Sequence, residues 1–134
     1  MNAPGPFEML ESCPVAGEAL WLRHATAFVT AFVTPAKRHR WHYLVTQRPS
    51  RIRRSSSKLH SDLDRRTCRS VGVVPAGTRG DGVFYAFDLD PRIVSVDTAA
   101  VLASGDAIFS LVPGELALYF FHESEVWLCQ AGRP

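Results

Sequence analysis

Ala107-Ile108-Phe109-Ser110-Leu111-Val112-Pro113-Gly114-Glu115-Leu116-Ala117-Leu118-Tyr119-Phe120-Phe121 is the run on which the fold of this chain turns. Two short apolar segments, Ala107–Val112 and Leu116–Phe121, flank a Pro-Gly pair, and Pro-Gly is turn chemistry. The pattern continues in both directions. Glu125–Cys129 follows it, and Val83–Leu89 and Ile93–Thr98 precede it. Gly80-Asp81-Gly82, Asp90-Pro91 and Ser104-Gly105-Asp106 supply the punctuation between them. Short apolar runs spaced by about ten residues with turn signals between them predict a sheet, as a meander or small barrel.

The N-terminal half is more varied. Residues 1–17 hold three prolines and two glycines and read as an extended lead-in, with a short helix expected from Gly17 to Leu22. Ala27-Phe28-Val29-Thr30 is followed at once by Ala31-Phe32-Val33-Thr34. The repeat of four suits a helix face, but β-branched residues fill half of it, which predicts a buried strand. Trp41–Thr46 reads as a second strand. In Arg51–Arg66 the spacing of Ile52, Leu59 and Leu63 fits one helix face, weakened by Ser55-Ser56-Ser57. The expected architecture is α+β. It is a mostly antiparallel or mixed sheet of about seven short strands, a small barrel or split sheet, with one or two helices in a single domain over residues 18–134.

Charge is strongly partitioned. Twelve of the fifteen Lys/Arg residues lie between Lys37 and Arg79 against two acids, Asp62 and Asp64, a net of about +10. Residues 80–134 hold Arg92 and Arg133 against eight acids, about −6, and the first 36 residues add about −2. The overall +2 therefore conceals a basic segment followed by an acidic, β-rich half, and such a segment faces anions. Arginine dominates it, which favours bidentate contacts to phosphate or carboxylate. The candidate polyanion-binding residues are Arg38, Arg40, Arg48, Arg51, Arg53, Arg54, Lys58, Arg65 and Arg66, joined by Arg69, with Trp41, His42 and Tyr43 as stacking groups. The competing reading is that this face pairs internally with the acidic half.

Other classes lack their signals. The chain has no GxSxG, no P-loop, no GxGxxG and no zinc-finger spacing. His39 and His42 stand among arginines that repel a divalent cation, and no metal is expected. The three cysteines, Cys13, Cys68 and Cys129, have no CxxC spacing, argue against a disulfide framework and fit a reducing cytosol. No secretory signal or membrane-length apolar run is present, so a cytoplasmic protein with no membrane partner is expected. The apolar Leu116–Phe121 run is a candidate pairing edge between chains.

Three pieces occur in a suggestive order: His42-Tyr43-Leu44-Val45-Thr46 with Ile52–Leu59, then Gly82-Val83-Phe84-Tyr85, then Glu123-Ser124-Glu125-Val126-Trp127-Leu128. This order resembles the ADP-ribosyltransferase-like fold, although His42-Tyr43 reverses the family's Tyr-His and Ser56 stands where it has glycine. The resemblance implies NAD as cofactor, with His42 or Tyr43 and Thr46 against the nicotinamide ribose and amide. It also implies Tyr85 stacking on the nicotinamide, Glu125 as catalytic carboxylate and Glu123 as the preceding glutamate. Such a carboxylate stabilises the oxocarbenium character that develops as the glycosidic bond breaks. A weaker likeness to the second motif of cupin barrels, Ser104–Phe109 with Pro113-Gly114, lacks that family's histidine.

The sequence thus supports first a non-enzymatic binding module that needs no cofactor. Its arginine-rich face docks on nucleic acid or an acidic protein surface, in the manner of a phage- or toxin-type inhibitor of a nucleoprotein complex. An NAD-using ADP-ribosyltransferase-like enzyme is the alternative.

Overall fold

The computed structural model describes residues 6–46, 58–85, 90–103, 106–121 and 125–132. Among these, six strands make one antiparallel sheet: β1 (Cys68–Ser70), β2 (Asp81–Tyr85), β3 (Arg92–Ser95), β4 (Ala107–Val112), β5 (Leu116–Phe121) and β6 (Glu125–Gln130). Their order is β1-β6-β5-β4-β2-β3. The sheet is open, with β1 and β3 at its edges, so the fold is α+β without a closed barrel.

The Pro-Gly run forms β4 and β5 at the expected limits. Gly114 has φ 72°, a left-handed conformation that glycine adopts without steric cost. The Glu115 amide then donates to the Val112 carbonyl at 3.0 Å and closes the turn. β5 lies between β4 and β6, so Leu116–Phe121 is interior and offers no pairing edge. Ala117 and Tyr119 are buried on one face, Leu118 and Phe120 on the other. Burial on both faces explains why this run is continuously apolar where a half-exposed strand would alternate.

Helices cover both faces. On one, Phe28, Val29 and Phe32 of α2 (Glu18–Phe32) and Trp41 and Val45 of α3 (Arg38–Val45) join Leu59 and Leu63, packing on Tyr85, Ile108, Tyr119 and Trp127. Leu59 lies in the helical residues 58–62, and its spacing of four from Leu63 shares a buried side as expected; Ile52 lies outside the described residues. On the other face, Met9 of α1 (Pro6–Ser12) and Val96, Ala99 and Leu102 of α4 (Val96–Leu102) pack on Phe84, Phe109, Leu118 and Phe120.

Four expectations are corrected. Residues 27–32 of the tandem tetrapeptide form the C-terminal part of α2, not a strand, and only Val33, just past the helix end, is extended and bridges Leu63. Its four-residue period places Ala25, Phe28, Val29 and Phe32 on one buried stripe. Thr26 donates its hydroxyl to the Leu22 carbonyl (2.8 Å) and Thr30 to the Thr26 carbonyl (3.1 Å), so these β-branched residues are satisfied within the helix. Residues 41–45 of the expected second strand are helical as well, because Trp41 and Val45, one turn apart, both reach the core. Pro6–Ser12 is a helix within the lead-in expected to be extended. Ala16 is buried, and Val15 bridges Arg92 on edge strand β3. Finally, the Ile93–Thr98 run divides at Ser95, whose Oγ accepts the Thr98 amide at 3.1 Å and caps α4. No described helix is long and apolar enough to cross a membrane.

Candidate polyanion-binding site

The connection from α2 into β1 fixes the arginines. The Thr34 amide donates to the Asp62 carbonyl (2.9 Å) and the Asp64 amide to the Phe32 carbonyl (2.7 Å). These two bonds stitch the end of α2 to residues 62–64. Trp41 Nε1 donates to Asp62 Oδ2 at 2.7 Å, which fastens α3 to the same segment. The Asp64 carbonyl then accepts the Thr67 and Cys68 amides (3.1 and 2.9 Å), turning the chain into β1. Gly72, at φ 80°, lies just beyond that strand's end.

At this edge a cavity of about 470 Å³ is lined by Arg65, Arg66, Thr67, Cys68, Arg69, Leu128 and Gln130. That volume suits a small ligand or one segment of a larger polyanion. The Arg65 guanidinium lies 4.3 Å from the centroid of the Trp127 ring and donates from Nη2 to the His60 carbonyl at 2.9 Å. Arg66 reaches back to Asp64, Nε to Oδ1 at 3.1 Å and Nη2 to Oδ2 at 3.0 Å. Those hydrogen bonds hold the Asp64 carboxyl below its ordinary range, with Arg38 adding a smaller electrostatic contribution, while burial opposes both. Arg69 is exposed and makes no ion pair among the described residues.

The remaining basic candidates are distributed as follows. Arg38 opens α3 and donates from Nε to the Val33 carbonyl at 2.9 Å. Arg40, on α3, and Lys58, where the helical residues 58–62 begin, are exposed. Arg48, Arg51, Arg53 and Arg54 lie outside the described residues. The expected stacking groups divide: Trp41 is buried in the core, His42 is half-buried, and Tyr43 is 60% exposed on α3.

The residues implied by the ADP-ribosyltransferase-like resemblance lie apart. His42 is on α3, with Nε2 3.3 Å from Thr30 Oγ1. Tyr85 on β2 donates its hydroxyl to the Trp21 carbonyl at 2.6 Å, and burial pushes that phenol well above its ordinary pKa. Glu125 begins β6, where its Oε2 accepts Trp127 Nε1 at 3.1 Å. Strands β4 and β5 separate β2 from β6, which at the usual strand spacing puts the two strands' backbones about 14 Å apart across the sheet. Glu123 lies outside the described residues.

Glu125 instead belongs to a cluster that the sequence did not reveal. His60 stacks on Phe121 (ring centroids 4.1 Å apart) and meets Trp127 edge-on (5.2 Å). Its Nε2 lies 3.3 Å from Glu125 Oε2 but without hydrogen-bond alignment, so the contact is an ion pair when the imidazole is protonated. Thr67, Leu128 and Gln130 were likewise not singled out. They join Arg65, Arg66 and Arg69 only through the β1–β6 pairing, for which no local sequence signal exists. No family model matches the chain, and no curated protein or solved structure does either.

Proposed function

We propose that this chain is a non-enzymatic docking module that binds the phosphate backbone of nucleic acid through Arg65, Arg66 and Arg69 at the β1 edge. The neighbouring segment 37–58 supplies further cations. The observation that carries this reading is electrostatic. Among the described residues the ion pairs are Arg66–Asp64 and the His60–Glu125 contact, so no described arginine of the basic segment is paired with a described acid of residues 80–134. A concave site with three guanidinium groups and one internal carboxylate attracts an extended anion, and bidentate contacts suit phosphodiesters. Binding of this type reads backbone and carries little sequence information.

The test is fluorescence anisotropy of a labelled 20-mer oligonucleotide against the full chain at two salt concentrations. Three phosphate contacts give a slope near −2.7 on duplex DNA, a loss of about 40-fold between 50 and 200 mM salt. The Arg65→Glu/Arg69→Glu variant should bind more weakly and lower that slope by about two. Salt-insensitive binding, or a variant indistinguishable from the parent, would count against the proposal. Binding to polyglutamate in place of the oligonucleotide would make an acidic protein surface the partner. A rise in Tm with NAD that disappears in Glu125→Ala would favour the transferase alternative.

A further inference from the structure

Cys68 and Cys129 are distant in sequence but directly opposed across the β1–β6 ladder. The Gln130 amide donates to the Thr67 carbonyl (2.9 Å) and the Val71 amide to the Val126 carbonyl (2.8 Å). Hydrogen-bonded pairs alternate along an antiparallel ladder, so Cys68 and Cys129 occupy a non-hydrogen-bonded position. There the Cα atoms approach to about 4.5 Å, within the span a disulfide bridges without backbone movement. Both thiols are buried and unbonded covalently, and each perturbs the ionisation of the other. Cys68 Sγ also lies 3.6 Å from the Phe32 carbonyl and from Thr67 Oγ1.

We propose that Cys68 and Cys129 are an oxidant-responsive dithiol that closes into a cross-strand disulfide, fastening edge strand β1 to β6. This inference is independent of what the arginines bind. The two cysteines play different parts. Hydrogen bonding from the Cys129 thiol draws the Cys68 thiol below its ordinary pKa, with Thr67 and the Arg65 charge assisting. Burial pushes Cys129 well above its own. Cys68, on edge strand β1 and lining the cavity, is therefore the attacking sulfur, and Cys129, fully buried on the inner strand β6, the resolving one.

The co-reactant is a small hydroperoxide. The Cys68 thiolate attacks one peroxide oxygen: an S–O bond forms, the O–O bond breaks, and the departing hydroxide takes a proton to become water. Cys129 sulfur then attacks Cys68 sulfur. The S–S bond forms, the S–O bond breaks, and the released hydroxide takes the Cys129 proton. Two thiols and one hydrogen peroxide thus yield one disulfide and two waters. Access comes from fraying of β1, a three-residue edge strand paired on one side.

The experiment is a titration of the full chain with hydrogen peroxide, followed by intact mass, non-reducing peptide mapping and a melting curve. The expected result is a loss of about 2 Da, a cross-linked peptide joining Cys68 to Cys129, and a Tm raised by about 10 °C that dithiothreitol reverses. Cys13, which is half-buried with its thiol donating to the Met9 carbonyl, is the internal comparison, and Cys13→Ser should leave the response intact. Cys68 found as sulfinic acid with Cys129 still free would overturn the proposal. So would a cross-link through Cys13, or a Tm lowered by the 68–129 bond. The mapping of the parent chain needs no cysteine variant to fold.

Discussion

Removing the Ser110 hydroxyl should destabilise this protein in a way that depends on pH and on His24. His24 Nδ1 and Ser110 Oγ lie 2.7 Å apart, both buried, where α2 crosses β4. Ser110→Ala deletes one partner and strands the imidazole nitrogen in an apolar layer, which costs about 1–3 kcal/mol. With unfolding entropy of about 2.1 cal/mol/K per residue, a 134-residue chain loses about 7 °C of Tm for 2 kcal/mol. His24→Leu should cost a similar amount, by stranding the hydroxyl. The double variant should cost less than the sum of the two by about 1 kcal/mol, because neither orphan remains. Burial first, and the Arg23 charge second, lower the His24 pKa from 6.5. The unfolded chain therefore takes up this proton at a higher pH than the folded one. The pair's stabilisation is complete above pH 6.5 and is lost as the pH falls from there through the folded pKa. Urea denaturation of the parent and of the double variant at pH 5.0 and 7.5 isolates the effect. The parent should lose more stability on acidification than the variant does. An equal loss in both, or strictly additive single substitutions, would refute the account of a buried neutral imidazole held by Ser110.

Two other substitutions test the fold and the basic edge. A Cβ at Gly82 would sit 2.4 Å from the Ser110 carbonyl oxygen and 3.0 Å from the Phe109 ring, so Gly82→Ala should prise β2 from β4 and cost about 1–3 kcal/mol or more in chemical denaturation. Asp64→Asn should release Arg66, tightening oligonucleotide binding and steepening its salt dependence, at a small stability cost because Arg66 is solvent-exposed. The Asp64 carboxyl is held below 3.8, so its contribution is present above that pH and lost as pH falls through the folded value; the variant should lack this part of the acid transition.

The sheet was legible in the sequence wherever it is local. Pro113-Gly114 and the two apolar runs around it set β4, β5 and their turn, because a hairpin-type connection is written in adjacent residues. Residues 27–32 of α2 and residues 41–45 of α3 read as strands from their β-branched and aromatic content, although the repeat of four in the first already suits a helix face. Phe28, Val29 and Phe32 resemble strand residues, and only burial against the sheet makes a helix of them; Val33, just past the helix end, is extended and bridges Leu63. Helix α4 carried a usable signal in Ser95-Val96-Asp97-Thr98, a capping serine with an acid in the first turn. The site was half legible. Charge named Arg65, Arg66 and Arg69, but the cavity depends on Leu128 and Gln130, which arrive by a pairing across the full sheet half of the chain. The separation of Tyr85 from Glu125 has the same origin: strand order, not strand sequence, fixes it.

That strand order also bears on synthesis from N- to C-terminus. Of the described strands, β1 is the first in chain order and its partner β6 the last. β4, β5 and β6 are sequence neighbours and zip locally, whereas β1 must wait for residues 125–130 and then close a long loop. During translation the arginines therefore exist as unpaired chain before they exist as a cavity. The pocket is complete only once β6 is in place, and a nascent chain stopped before β6 would carry the charge of the site without its shape.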